Sequence, residues 1–231
     1  MKEYKHLFFD LDRTLWDFEA NSLVTLQEIF DERKLKERGV PSFDDFLMFY
    51  KDYNHKLWDL YKLGEINKEY LSVERFRGTL KKFSISDENL SVNIAKDYVT
   101  ISPTKTKLFP DTIDVLDILS KRYHLHIITN GFSEVQFTKL KNSNLDIYFE
   151  QIITSEMVGV QKPNSKVFEF SLHQAKAKQV DSVMIGDDQE VDIIGAQKFG
   201  MDQVFVDFHR QKLNCIPTWH VHCLKDLLKI F

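Results

Sequence analysis

The runs His126-Ile127-Ile128-Thr129 and Val183-Met184-Ile185-Gly186 are apolar at nearly every consecutive position. A strand with one wet face alternates polar and apolar residues. An unbroken apolar strand therefore belongs to a sheet covered on both sides, in practice a parallel sheet flanked by helices. From Pro110 onward the chain alternates the two periodicities: helices over 111–122, 133–143, 164–177 and 190–199 are interleaved with strands over 124–129, 150–154, 182–186 and 203–207. The expected fold class is α/β, a doubly wound, Rossmann-like parallel sheet core. The triplet Leu7-Phe8-Phe9 reads as one more buried strand of the same sheet.

Between that first strand and the rest lies a long helical stretch. Ala20 to Arg38 carries Leu23, Leu26, Ile29 and Phe30 at helical spacing and ends at Gly39-Val40-Pro41. A second helix starts at Ser42, with Asp45 as the acid of a capping box, and runs to Gly64. Asn67 caps a third with Leu71, Phe76, Leu80 and Phe83, and Ser86 opens a fourth with Leu90, Ile94 and Tyr98. The expected organisation is a core of residues 1–16 and 101–231 with an inserted four-helix domain over 17–100.

The 231 residues, 43% hydrophobic, suffice for a large packed interior. A formal charge of −4 and a pI near 6.1, with both signs interspersed, offer no basic footprint for a nucleic-acid polymer, so a small charged ligand is the expected partner. No apolar run approaches the roughly 20 residues of a membrane span. The N-terminus, Met1 to His6, enters a strand without a signal-peptide core, so the expected location is cytoplasmic. Oligomeric state is not readable. The two cysteines are too few for a disulfide framework. Cys215, His220, His222 and Cys223 gather four soft metal ligands, but a short terminal strand there, followed by a helix from about Leu224, puts His220 and His222 on one face and Cys223 on the other. A zinc site built on these four is not expected.

In open parallel sheets ligands bind beyond the carboxyl ends of the strands. After the first strand come Asp10 and Asp12, spaced i and i+2, with Thr14 close behind. Two acids on one side of an extended segment need a cation, a proton or a phosphate clamp to relieve their repulsion. After 124–129 come Thr129, Asn130 and Gly131; before the helix from 164 comes Lys162-Pro163; after 182–186 come Asp187, Asp188 and Asp192. Singly these read as turns and helix-end acids. Together, at one sheet edge, they supply acids, a cation, a hydroxyl and free amides. Pro163 suits the first turn of a helix, so Lys162 is expected to present its ammonium at a helix N-terminus.

Asp-x-Asp-x-Thr, a strand ending in Thr, Lys-Pro and Gly-Asp-x-x-x-x-Asp, in that order, resemble the four motifs of the haloacid dehalogenase superfamily, and the match spans the whole chain. The helical insert resembles that superfamily's cap, which would close over the core and exclude water. Ile127-Ile128-Thr129-Asn130-Gly131-Phe132 followed by Gln136 and Lys139-Leu140, with Leu15-Trp16-Asp17-Phe18, resembles its pyrimidine 5′-nucleotidase-type subgroup. The resemblance implies a Mg²⁺-dependent phosphomonoesterase with Asp10 as nucleophile. Mg²⁺ would be held by Asp10, the Asp12 carbonyl and Asp187, with Asp192 and Asp188 outside them. Asp12 would be the acid and base, Lys162 would neutralise charge, and Thr129 with the amides of Asn130 and Gly131 would bind the phosphoryl oxygens. Arg13 stands where Gly is frequent and either contacts substrate or points to solvent. Trp16, with Phe18, Trp58 and Tyr61, either offers stacking to a base or, as aromatics at helical spacing usually do, fills the core. Halide leaves without a proton, so Asp12 favours a phosphatase over a dehalogenase. Nucleoside 5′-monophosphates, pyrimidines preferred, are the expected substrates. The alternatives are sugar phosphates, phosphoglycolate, a β-phosphoglucomutase-like mutase, a dehalogenase or a non-catalytic binding protein.

Overall fold

The structure, a computed structural model, describes residues 3–231. Six strands form one parallel sheet: β1 His6–Phe9, β2 His124–Thr129, β3 Gln151–Thr154, β4 Ser182–Gly186, β5 Asp202–Val206 and β6 Trp219–Val221. Their order is β3-β2-β1-β4-β5-β6, so β1 is central, paired in register from His6 to His124 on one side and to Ser182 on the other. Strand residues alternate between two buried layers. Leu7, Phe9, Ile127, Ile185 and Val204 enter one core, and Phe8, Ile128 and Met184 the other. Both faces being covered is why these strands read as apolar runs.

The chain divides into two compact units, one running to Glu19 and resuming with Thr106–Phe231, the other Ala20–Lys105. These limits lie a few residues beyond the sequence-based ones. In the helical unit, α1 Phe18–Glu32 stops well short of Arg38, because Lys34 takes a left-handed conformation and the chain continues in turns. Helix α2 Phe43–Lys62 starts where Ser42 Oγ accepts the Asp45 N–H at 3.1 Å. Helix α3 Lys68–Lys81 is capped by Asn67, and α4 Glu88–Ile101 by Asp87, one residue after the expected Ser86. Their apolar stripes meet in a single core of Leu26, Ile29, Phe46, Phe76, Leu80 and Ile94, from which the expected Leu23 is left exposed. No helix among the described residues is long and apolar enough to cross a membrane.

In the sheet unit, α5 Thr112–Leu119, α6 Ser133–Asn142, α7 Ser155–Val158, α8 Ser165–Ala175 and α9 Gly195–Phe199 join the strands. The expected helix over 190–199 is a π-helical turn, Gln189–Ile194, running into α9. The C-terminal segment follows β6 as a 3₁₀ helix, Leu224–Lys229.

Candidate active site

The C-terminal end of β1 delivers Asp10 into the interior, 8% exposed, with its N–H bonded to the Ile185 carbonyl at 2.8 Å. The chain then turns tightly: Trp16 N–H reaches the Leu11 carbonyl at 2.9 Å, and Arg13, at φ 67°, donates its N–H to the Trp16 carbonyl at 2.9 Å. Glycine takes this left-handed conformation freely, and an arginine accepts it at some strain. The Arg13 side chain, half exposed, pairs with Glu19 at 2.9 Å and lies 4.5 Å from the Phe18 ring centre. Trp16 is fully buried in the main core, so it presents no face to a ligand and is removed from the substrate-binding candidates. Trp58 and Tyr61 pack edge-on to each other at 5.6 Å on α2.

Lys162 is 1% exposed and is not at a helix N-terminus as expected. Helix α8 begins three residues later, with its own cap in Asn164, and the lysine side chain runs instead into the sheet edge. Its ammonium donates to Asp10 Oδ1, Asp192 Oδ1 and the Ile128 carbonyl, each at 2.7 Å, which uses all three of its N–H bonds. Asn130 holds the Lys162 backbone from both sides: Oδ1 accepts its N–H at 2.8 Å and Nδ2 donates to its carbonyl at 3.0 Å. The Asn130 side chain thus positions the lysine.

Carboxylate oxygens of Asp10, Asp187 and Asp192 lie within 4.8 Å of one another. Asp187 accepts the Thr14 hydroxyl at 3.0 Å, and Asp192 accepts the Asp188 N–H at 3.2 Å. Asp188 itself points away and caps the π-helical turn through the N–H groups of Glu190 and Val191, so its carboxylate serves the backbone. Any Cβ at Gly186 would overlap the Asp192 carboxylate, which explains the glycine before Asp187. Burial first, and Asp192 and Asp12 next, push the Asp10 carboxyl up to about 7 against the pull of Lys162. Burial and the charges of Asp10 and Asp192 push Asp187 well above the usual carboxylate range. Of the three acids, Asp10 and Asp192 share one buried ammonium, and Asp187 is held by the Thr14 hydroxyl and the more distant charge of Arg13. An all-oxygen donor set with uncompensated negative charge fits a hard divalent cation such as Mg²⁺.

Asp12 points elsewhere. Its two oxygens accept from Lys139 Nζ at 2.6 and 2.8 Å, and Gln136 Nε2 adds a third bond at 3.0 Å. Lys139 is 3% exposed and sits 4.3 Å from the Trp16 ring centre, which explains the buried tryptophan as a floor for the cation. Gln136 also donates to Thr129 Oγ1 at 2.6 Å, and the Gly131 N–H reaches the same oxygen at 3.1 Å. With both lone pairs filled, the Thr129 hydroxyl has only its proton left to offer. The Gly131 amide, expected to face a ligand, is used on Thr129. Lys139 and Gln136 were not among the site residues read from the sequence. Their signal was the i, i+3 spacing on one helix, which places both on a single face.

The structure therefore brings together Asp10, Lys162, Asp187, Asp192 and Thr14 in one cluster, with Asp12, Thr129, Gln136 and Lys139 in the network beside it. The profile of the haloacid dehalogenase-like hydrolases matches residues 7–206. The chain belongs to that family. The hydrolase is 32% identical over 229 residues to the pyrimidine 5′-nucleotidase PynA of Streptococcus pneumoniae, covering 97% of this chain and 94% of PynA. It is 30% identical over 224 residues to the pyrimidine 5′-nucleotidase YjjG of Escherichia coli, covering 96% and 95%. The magnesium-bound crystal structure of the putative hydrolase YfnB of Bacillus subtilis superposes with a TM-score of 0.90 at 27% identity, over 99% of each chain. Within its family this hydrolase is a phosphomonoesterase.

Proposed function

We propose that the hydrolase removes phosphate from nucleoside 5′-monophosphates, pyrimidine nucleotides foremost, through an aspartyl-phosphate on Asp10 and with Mg²⁺ as cofactor. The observation that carries the chemistry is the pair of differently held acids: Asp10 bound to Lys162, and Asp12 bound to Lys139 and Gln136. The end-to-end similarity to two pyrimidine nucleotidases supports the substrate class.

Lys162 occupies Asp10 Oδ1, so Oδ2 is the oxygen that attacks phosphorus as the bond to the 5′ oxygen breaks. Thr129 donates its remaining proton to a phosphoryl oxygen. Asp12, protonated, passes its proton to the departing 5′ oxygen and is left as the carboxylate that Lys139 pairs with. In that form it takes a proton from the water that attacks the aspartyl-phosphate, releasing inorganic phosphate and restoring Asp10. Asp10, Asp187 and Asp192 would hold Mg²⁺, which supplies neutralisation of the phosphoryl charge when bound. Lys139 and Gln136 are positioning residues in this account. Their three hydrogen bonds fix the direction of the Asp12 carboxylate on which the second step depends.

The test is phosphate release from UMP, dUMP, dTMP, AMP, phosphoglycolate and glucose 6-phosphate, with and without Mg²⁺. The expected outcome is Mg²⁺-dependent turnover led by the pyrimidine nucleotides. Turnover led by the sugar phosphate would keep the chemistry and discard the nucleotide assignment.

A further inference from the structure

A second set of metal-competent side chains forms two strands away from Asp10, where β5 meets β6. The register of Phe205 with His220 and Val206 with Val221 places Phe205, Asp207, His220 and His222 on one face of the sheet edge. Asp207 follows β5, is buried, and donates its N–H to the Val221 carbonyl at 2.8 Å. Its Oδ1 accepts the Gln211 N–H at 3.0 Å, and its Oδ2 faces His220 Nε2 at 3.1 Å. The Nδ1 of His222 lies 3.1 Å from the Asp207 carbonyl oxygen. A ring nitrogen facing a carbonyl is the N–H, so His222 keeps its lone pair on Nε2. The His220 ring stacks on Phe205 at 5.2 Å, which fixes its plane.

We propose that Asp207, His220 and His222 bind a borderline divalent transition-metal ion, Zn²⁺ foremost, at a site separate from the Asp10 cluster. One ligand atom from each lies within 4.8 Å of the others. Two imidazoles and one carboxylate suit Zn²⁺ and not Mg²⁺. The 3.1 Å between His220 Nε2 and Asp207 Oδ2 is close to the edge, about 3.3 Å, of a tetrahedron with bonds of about 2 Å. The outer contacts are already made: the Gln211 N–H holds the carboxylate, and the Asp207 carbonyl sets the His222 tautomer. Both histidines are exposed, which gives an ion its entry. The cysteines are not part of the set, since Cys223 Sγ turns to Asp226 at 3.3 Å and Cys215 Sγ to Gln189 at 3.9 Å.

The ion would close the segment between Asp207 and His220. That segment is fastened to the π-helical turn carrying Asp192, through Gln189 to the Lys212 carbonyl at 3.0 Å and Asn214 to Glu190 at 3.0 Å. Cross-linking its two ends stabilises the folded chain.

The experiment titrates EDTA-stripped protein with Zn²⁺ in excess Mg²⁺, against a chromophoric chelator. The magnesium holds the carboxylate cluster and leaves imidazole free. One Zn²⁺ per chain is expected, with affinity at least about tenfold weaker in the double variant His220→Asn, His222→Asn, and a Zn²⁺-dependent rise in Tm that the variant lacks. In the unmodified protein, ring NMR signals of two of the eight histidines, assigned as His220 and His222 through the single variants, should shift with one equivalent. Equal affinity in both proteins, no binding below about 100 μM Zn²⁺, or shifts confined to other histidines overturns the proposal.

Discussion

At the C-terminal end of the central strands, Asp10, Asp187 and Asp192 keep their carboxylates within 4.8 Å of one another around the Lys162 ammonium, whereas along the N-terminal half of β1 and β2 the rings of His6, His124 and His126 stack at 4.9 and 5.4 Å. Burial acts on both regions in the same sense, favouring neutral forms. It pushes Asp10 up to about 7 and His126, with help from the neighbouring imidazoles, down to about 4. The difference lies in what opposes it. Lys162 commits all three N–H bonds to the acid cluster. Among the described residues the hydrogen-bonding partner of the His126 ring is another imidazole, that of His6 at 3.1 Å, and the Glu150 carboxylate bonds His124 instead. Buried charge is thus retained at the strand ends, where the Lys162 ammonium stands against the acids, and discarded on the same strands where no counter-charge bonds the ring.

Replacing Lys162 by Met breaks that contrast most severely. It should lower kcat by at least about 10³-fold, because the nucleophile loses its orientation and the phosphoryl group a counter-charge. The metal-free protein should lose about 3–5 kcal/mol to chemical denaturation, as acids are left unpaired. Wild-type turnover in this variant would remove Lys162 from the chemistry. At the histidine end, His126 takes a proton near 4 when folded and near 6.5 when unfolded, so stability is lost as the pH falls between those values. His126→Phe keeps the packing against Phe8 and should flatten that acid limb by up to about 3 kcal/mol in urea titrations across the window. Unchanged slopes would show that His126 is not the group that matters.

The acid cluster carries the opposite sign. The folded Asp10 value near 7 lies above the ordinary 3.8, so the metal-free protein loses stability as the pH rises through that interval. Asp10→Asn should therefore be more stable than the wild type without metal at pH 8, by on the order of 2 kcal/mol. Mg²⁺ should raise the wild-type Tm more than the variant's. An equal Mg²⁺ response in both proteins would place the cation elsewhere. The smallest effect is expected at Lys139→Met, with kcat reduced about 10–100-fold. Rapid-quench kinetics should show the covalent species accumulating, since only the water-activating step needs Asp12 as a carboxylate. A uniform slowing of both steps would reduce Lys139 to a structural role.

The parallel sheet was legible because both its faces are covered, which leaves strands such as Val183 to Gly186 without polar punctuation. Asp10, Lys162 and Asp187 were legible because they sit at strand ends or before a helix. What the sequence hid depended on side-chain direction. Lys162-Pro163 suggested an ammonium at a helix start, yet the chain enters α8 only at Ser165 and the lysine turns inward to the acids. Trp16 read either as a stacking surface or as core, and the buried Lys139 above it shows why an aromatic stands there. The helix expected to Arg38 ended early because Lys34 adopts a left-handed turn that no glycine announces. His220 and His222 were placed on one face correctly, but their partner proved to be Asp207, just past the end of the neighbouring strand and beyond the reach of local spacing.

The central claim is that Asp10 carries the phosphoryl group. Acid quench of the enzyme during turnover of UMP with Mg²⁺, followed by borohydride reduction and peptide mass spectrometry, tests it directly. An acyl phosphate at residue 10 is reduced to homoserine, and the account predicts that product there, absent when substrate is omitted and absent in Asp10→Asn. Steady turnover with residue 10 unreduced, or with the reduced residue at Asp12, Asp187 or Asp192, would contradict it.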